Sequence, residues 1–300
     1  MLPSLLTALF FALSSLFANK SLKAVGMTRA NIGRLIVAAV VLGALAHTVG
    51  SGLHGAGRNW LLLSGVVGMG IGDMAFFGAL PFLGSRLTVL MTQCLAAPIG
   101  ALVEWLWLGT RVSPLHLVAG AIILAGVALA LMPSRSNPPR VALKPVGFIL
   151  GLVAAAGQGV GAVISREAAE VAGRAGQSID GMTAAYQRTL GGLLLTLGYF
   201  AVRYALRRRR GLPADTPADA TWPKHGWIVV NSACGAIIGV SCYQWALLTT
   251  PSAIVLPVVA CTPLIVVPFA YWIEGERPSL RSLSGGLLAV VGAALLGLAS

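Results

Sequence analysis

Long apolar runs alternate with short polar connections along this chain, and charges, prolines and glycines delimit ten of them. They predict helices near 3–19, 31–48, 60–82, 86–108, 113–132, 145–165, 182–205, 224–248, 252–273 and 280–298. Most approach the roughly 20 apolar residues needed to cross a hydrocarbon core about 30 Å thick. The stretches richest in polar residues, 133–144 and 206–223, read as loops, the second carrying Arg207 to Arg210. The pattern is that of an all-α polytopic membrane protein with ten transmembrane helices.

Composition narrows the picture. Of 300 residues, 57% are hydrophobic and 10% charged, against about a quarter charged in a soluble domain. The net charge of +12 raises the question of nucleic acid. The basic residues, however, sit in connections between apolar runs and form no aromatic-interleaved face, so no nucleic-acid partner is expected. Cys94, Cys234, Cys242 and Cys261 fall inside apolar runs, where a thiol acts as a small hydrophobe. The first run has no basic residue before it and Lys20 after it, the reverse of a signal peptide's charge order, and is expected to remain as the first helix.

A repeat search is more informative. Gly68, Gly72, Ala79 and Leu80 match Gly235, Gly239, Ala246 and Leu247 at an offset of 167 (235 − 68). Pro98 and Trp107 match Pro263 and Trp272 at 165 (263 − 98), and Gly120 and Gly126 match Gly286 and Gly292 at 166 (286 − 120). Arg34 and Arg188 open the second helix of each half, offset by 154 (188 − 34). The expected units are five-helix repeats over 1–140 and 141–300. An odd number of crossings makes the second copy enter from the opposite side, so the repeats are expected to be inverted.

Basic residues favour the cytoplasmic side. On this topology one side collects Lys20, Lys23, Arg29, Arg86, Arg135, Arg140, Lys144, Arg203, Arg207 to Arg210, Lys224, Arg277 and Arg281; the other collects Arg58, Arg111, Arg166 and Arg174. The expectation is an inner (plasma) membrane protein with both termini outside the cytoplasm.

Asp73 stands out among groups that could carry chemistry. It lies about 20 Å into its helix at 1.5 Å per residue, near the midplane. An acid there is costly and must face a cavity or a partner, which makes it a candidate for proton coupling or for contact with a substrate amine. Gln93, Gln158, Tyr243, Gln244 and Trp245 are the candidate supporting wall, and helices 1, 3, 4, 6, 8 and 9 the expected lining. Arg34 and Arg188 can snorkel from helix ends, or serve as gating or anion-contacting cations, one toward each side. Ser14, Ser15, Tyr186, Gln187 and Asn231 are polar groups suited to interhelical hydrogen bonds. Glu104, flanked by Trp105 and Trp107, is expected at the interface. The Gly-x-x-x-Gly pairs at 68/72, 157/161 and 235/239 are expected packing faces.

Gly70, Ile71, Gly72 and Asp73 spell the Gly-x-Gly-Asp string of intramembrane aspartyl proteases, yet Asp180, Asp215 and Asp219 all fall in loops or at a helix start, so the required second carboxylate is missing. His47, His54, His116 and His225 lack metal-ligand spacing. No phosphate-cradling loop points to ATP. No cofactor or metal is expected.

The paired features resemble the drug/metabolite transporter superfamily, in its ten-helix EamA-like branch. The residues concerned are Gly72, Asp73, Ala79, Leu80, Gly84, Leu95, Pro98 and Gly120 in the first half, and Pro263, Glu274, Gly275, Glu276, Gly286 and Gly292 in the second. Gly109, Thr110 and Arg111 depart from the family's Gly-Glu at the end of helix 4. The resemblance implies export or uptake of amino acids, metabolites or drugs, by proton or electrochemical coupling or by exchange. The reading is a secondary transporter, an exporter of small metabolites such as amino acids, working by alternating access as a monomer or homodimer. Its partners are a small solute, protons and membrane lipid. The alternative is a flippase for lipid or lipid-linked sugar.

Overall fold

The computed structural model describes residues 2–108, 113–131, 144–210, 222–250, 252–274 and 279–298, and within them all regular structure is helical. Helices α1 (Leu2–Val25) and α2 (Met27–Val49) precede α3 (Arg58–Gly65), a π-helical segment π1 (Val66–Gly72), α4 (Asp73–Leu108) and α5 (Pro114–Leu131). Then come α6 (Pro145–Arg174), α7 (Gly181–Arg209), α8 (Trp222–Asn231), a second π segment π2 (Ser232–Gly239), α9 (Val240–Thr249), α10 (Ser252–Val259), α11 (Thr262–Glu274) and α12 (Leu280–Leu298). Among the described residues seven helices are long and apolar enough to cross a membrane, and shorter apolar helices cover Val118–Ala130 and Leu283–Leu295.

One of the seven runs unbroken from Arg58 to Trp107. At Gly84, however, the backbone takes φ 71° and ψ 172°, which glycine tolerates because it has no Cβ. The contacts of α6 reveal a reversal there. Gly161 lies against Ser64 and Gly68, and Gly157 against Gly72, so this limb is antiparallel to α6; Gly151 lies against Met91 and Gly159 against Ala96 and Gly100, so the next limb is parallel to it. The two limbs are the helices expected over 60–82 and 86–108.

Several helices outlast their apolar runs. Helix α1 reaches Val25 rather than 19, α6 Arg174 rather than 165, and α7 Arg209 rather than 205. Charged side chains at these ends have partners that sustain the helix. Arg174 pairs with Glu167 at 3.2 Å and Glu170 at 3.6 Å, and Arg166 with Glu170 at 3.8 Å. Lys20 Nζ lies 4.5 Å from the centroid of the Trp227 ring. Arg166, Arg174 and Arg207 to Arg209, expected in loops, therefore belong to helices. The run expected over 252–273 is interrupted at Ala260 and Cys261, just before Pro263, which opens α11 where its missing N–H costs nothing. Arg111, Arg135, Arg140, Arg277, the Gly109 to Arg111 departure and Gly275 with Glu276 lie outside the described residues.

The two halves pack crosswise. Ser232 Oγ on π2 donates to the carbonyl of Arg34 on α2 at 2.8 Å. At the matched position 167 residues earlier (232 − 65), Gly65 lies so close to the Arg188 carbonyl on α7 that no side chain fits. Each half thus lays its second helix on the third helix of the other. Helices α5 and α12 also cross between halves: Gly126 approaches Gly285 and Ala289, while Gly292 approaches Ala119 and Ile123, an antiparallel contact of small residues. Outward faces carry apolar side chains such as Leu102, Trp105, Ile149, Leu194 and Trp272, suited to lipid.

Candidate functional site

Where the halves meet, a cavity of about 70 Å³ opens about midway along α1. First-half helices contribute Phe11, Ser14, Arg34, Asp73, Phe77 and Gln93, among others; second-half helices contribute Gln158, Arg188, Asn231, Val240 and Tyr243. Among the described residues, two cations and one acid give the lining a formal charge of +1.

The π segments shape this cavity. A π turn holds more residues than an α turn, rotates the helix beyond it, and occurs mostly as a single turn inside an α-helix, frequently at a functional site. In π1 the run of Gly68, Gly70 and Gly72 admits close neighbours, and Asp73, the residue directly after it, opens α4. Both segments end at matched glycines, Gly72 and Gly239. The spacings 68/72 and 235/239, expected as plain packing faces, are built into these turns. Gly68 leaves room for the Arg188 guanidinium, and Gly235 for Ser14, whose Oγ donates to Asn231 Oδ1 at 2.8 Å.

Arg34 does not snorkel. It is buried at 6% exposure, ion-paired and hydrogen-bonded through one guanidinium nitrogen to Asp73 Oδ2, with its guanidinium carbon 5.4 Å from the Phe77 ring centroid. Arg188 is buried at 2% exposure and stands 5.4 Å from the centroid of Tyr243, which in turn stacks obliquely on Phe11 at 5.7 Å. The two arginines share one cavity rather than facing opposite sides. Their helix positions hid this, because burial depends on which neighbouring helix covers each end.

The candidate wall divides. Gln93, Gln158 and Tyr243 line the cavity, but Gln244 and Trp245 do not. Gln244 is buried away from it, its amide without a hydrogen-bond partner. Trp245 is 48% exposed on the outer surface, its backbone against Gly181. Successive helical residues point about 100° apart, so only one of three adjacent side chains reaches the lining. Among the described residues, none of α10 or α11, the helices expected as the ninth crossing, lines the cavity, whereas α2 and α7 enter through their arginines. Asn231, read first as an interhelical bonding group, lines the cavity, as do Thr92 and the apolar Phe76, Phe77 and Met69, which no feature of the sequence marked. Glu104, expected at the interface, is buried at 7% exposure, while Trp105 and Trp107 on the same turns are exposed. Asp180, the protease dyad's absent partner, instead caps α7 by accepting from Met182 N and Thr183 N at 3.0 and 2.8 Å.

At the far end, Ala56 N donates to Gln177 Oε1 at 2.8 Å and Gln187 Nε2 to the Gly52 carbonyl at 2.9 Å. The connections at 50–57 and 175–180 therefore share one face of the bundle. Gly147 packs on Phe82 and Leu83, and Lys144 lies 5.9 Å from the Phe82 ring, which joins the Gly84 turn and the start of α6 at one end.

No curated protein matches the chain. Among solved structures, one crystal structure of a protein is similar over 99% of this chain and 99% of its own, with 18% identity and a TM-score of 0.68, a likeness of fold alone. The model of the EamA-like transporter family matches residues 1–132 and 145–298, which between them hold all the described side chains that line the cavity. A charged cavity closed by two copies of one family unit is thus the setting in which this chain belongs to the EamA-like transporter family, membrane transporters of the drug/metabolite transporter superfamily.

Proposed function

We propose that the protein is a secondary transporter, an exporter of small metabolites such as amino acids, in which two inverted five-helix repeats over 1–140 and 141–300 expose one cavity alternately to each side. The observation that carries this reading is the cavity itself, lined from both halves and holding an intramembrane ion pair. Ionisable groups inside a membrane are retained where they face a pathway. Ten crossings result if the reversal at Gly84 counts as two limbs and the short helices α5 and α12 also span.

At about 70 Å³ the cavity holds a few waters, far below the 300 Å³ or more of a drug-sized site. A substrate therefore requires the halves to part, and the crosswise contacts at 34/232 and 65/188 are the surfaces that would slide. Asp73 and Arg34 form the gating and coupling pair, since a proton or a solute that displaces either changes what holds α2 to α4. Gln93, Gln158 and Tyr243 supply neutral polar contacts. One chain closes the cavity, so the functional unit is a monomer, whether or not it dimerises. The protein is placed in the inner membrane with both termini outside, the 50–57 and 175–180 connections on that same side.

The test is flux of amino acids from proteoliposomes, with and without a proton gradient, for the native chain and Asp73→Asn. The expected result is transport that Asp73→Asn slows and uncouples from the gradient. Equal flux and equal gradient dependence would remove Asp73 from the mechanism.

A further inference from the structure

The pseudo-symmetry of the two halves breaks at one charge. Arg34 and Arg188 are counterparts, each laid on the third helix of the other half with its carbonyl at matched positions 232 and 65. Arg34 has Asp73 as its counter-ion. Applying the offset of 167 to Asp73 gives Val240 (73 + 167), which also lines the cavity. Where an acid would neutralise Arg188, an apolar side chain stands instead.

Among the acids whose side chains the structure describes, no other takes its place. Asp73 lies close enough for its charge to act on Arg188, yet its ion pair is with Arg34. Glu167 and Glu170 pair with Arg174 and Arg166, Asp180 caps α7, and Glu104 interacts electrostatically with Arg166 and Glu170. Arg188 Nε and Nη1 are buried without a hydrogen-bond partner. A guanidinium buried in a membrane interior without an ion-pair partner of its own is costly, and the Tyr243 ring at 5.4 Å offsets only part of that cost. The neighbouring orphans include two donors, Arg34 Nε and Asn231 Nδ2, against one acceptor, Gln93 Oε1, while the hydroxyls of Thr92 and Tyr243 can serve either way and that of Tyr243 faces Arg188.

Resting on the transporter reading, we infer that the substrate carries an oxyanion, a carboxylate or phosphate, and that this group is the missing counter-ion of Arg188. A guanidinium presents parallel N–H donors that match either group in bidentate fashion. The solute then completes the symmetry, with Arg34 held by Asp73 and Arg188 held by the cargo. A cationic solute would meet two arginines and find the one acid already engaged. Val240 matters because an acid there would occupy Arg188 permanently, as Asp73 occupies Arg34.

The experiment uses the purified full-length chain in phosphatidylcholine nanodiscs, with acetate and inorganic phosphate as probes and ethylamine and urea as controls. Thermal protection and calorimetric titration are read for the native chain, Arg188→Gln, Val240→Asp and Val240→Asn. Acetate or phosphate should protect the native chain and Val240→Asn. Binding should weaken about thirtyfold or more in Arg188→Gln and in Val240→Asp. Val240→Asp keeps the arginine and supplies its partner, so it answers the question even where Arg188→Gln folds poorly. Protection that comes from phosphatidylglycerol in the nanodisc and vanishes in Arg188→Gln keeps the oxyanion site and assigns it to a lipid headgroup. Equal protection in all four proteins, or protection by ethylamine alone, overturns the inference. Flux of amines or neutral solutes in proteoliposomes would then leave the transporter reading standing.

Discussion

Replacing Asp73 by Asn removes the acid from a pair whose arginine is 7% exposed at its side chain and whose carboxylate is 25% exposed toward the cavity. At an effective dielectric near 20, opposite charges about 4 Å apart attract by about 4 kcal/mol. Desolvation of both ions offsets much of this. A hydrogen bond to a charged group contributes about 1.5–3 kcal/mol net, and membrane-embedded bonds fall toward the lower part of such ranges because the unfolded chain in lipid also finds partners. A coupling of about 2 kcal/mol between positions 34 and 73 is therefore expected. The assay is a double-mutant cycle on thermal or denaturant unfolding in detergent, with Asp73→Asn, Arg34→Gln and the double variant. Each single change should destabilise by about 2–3 kcal/mol, and the double by less than their sum, because the double variant leaves neither member of this pair as a lone buried charge. Strictly additive losses would mean the pair does not act as one unit, and the gating role of Arg34 and Asp73 would fall with it.

The same geometry sets further expectations. Gly65→Ala places a methyl against the Arg188 carbonyl and should destabilise by about 3 kcal/mol or more, whereas Gly198→Ala, with nothing within 4 Å, should be neutral or stabilise by up to about 1 kcal/mol; unfolding in detergent compares them. Gly68→Ala crowds the Arg188 guanidinium and should impair transport more than stability, read as the ratio of initial flux to melting temperature against the native chain. Trp245→Phe, outside the cavity, should leave flux within about twofold, a change of less than about 0.5 kcal/mol; a larger loss would place Trp245 on the pathway. In a background without native cysteines, His54→Cys and Gln177→Cys should react with an impermeant maleimide from outside intact cells and Lys144→Cys should not, and the opposite result would invert the topology.

Hydropathy and spacing made most of the architecture legible. Whether a stretch of residues crosses lipid depends on the summed transfer energy of its own side chains, a local property, so helix locations could be read directly. Matched glycines and prolines at near-constant offsets exposed the repeat, because both copies meet the same close approaches. Asp73 was legible for a related reason: a carboxylate deep in an apolar run needs a partner whatever the fold.

The partner itself was not legible. Arg34 and Arg188 look like helix-end cations on paper, and only the crosswise seating of α2 and α7 on the opposite half buries them at one cavity. The choice among Tyr243, Gln244 and Trp245 likewise depends on rotation about the helix axis, which the π turn of π2 shifts and no hydropathy window records. A chain's own letters dictate which segments enter the membrane and that they come in two copies. Which side chains face one another is a matter of contacts between segments far apart in sequence, where steric fit at Gly65, Gly84 and Gly235 selects one arrangement of helices that hydrophobicity alone leaves equivalent.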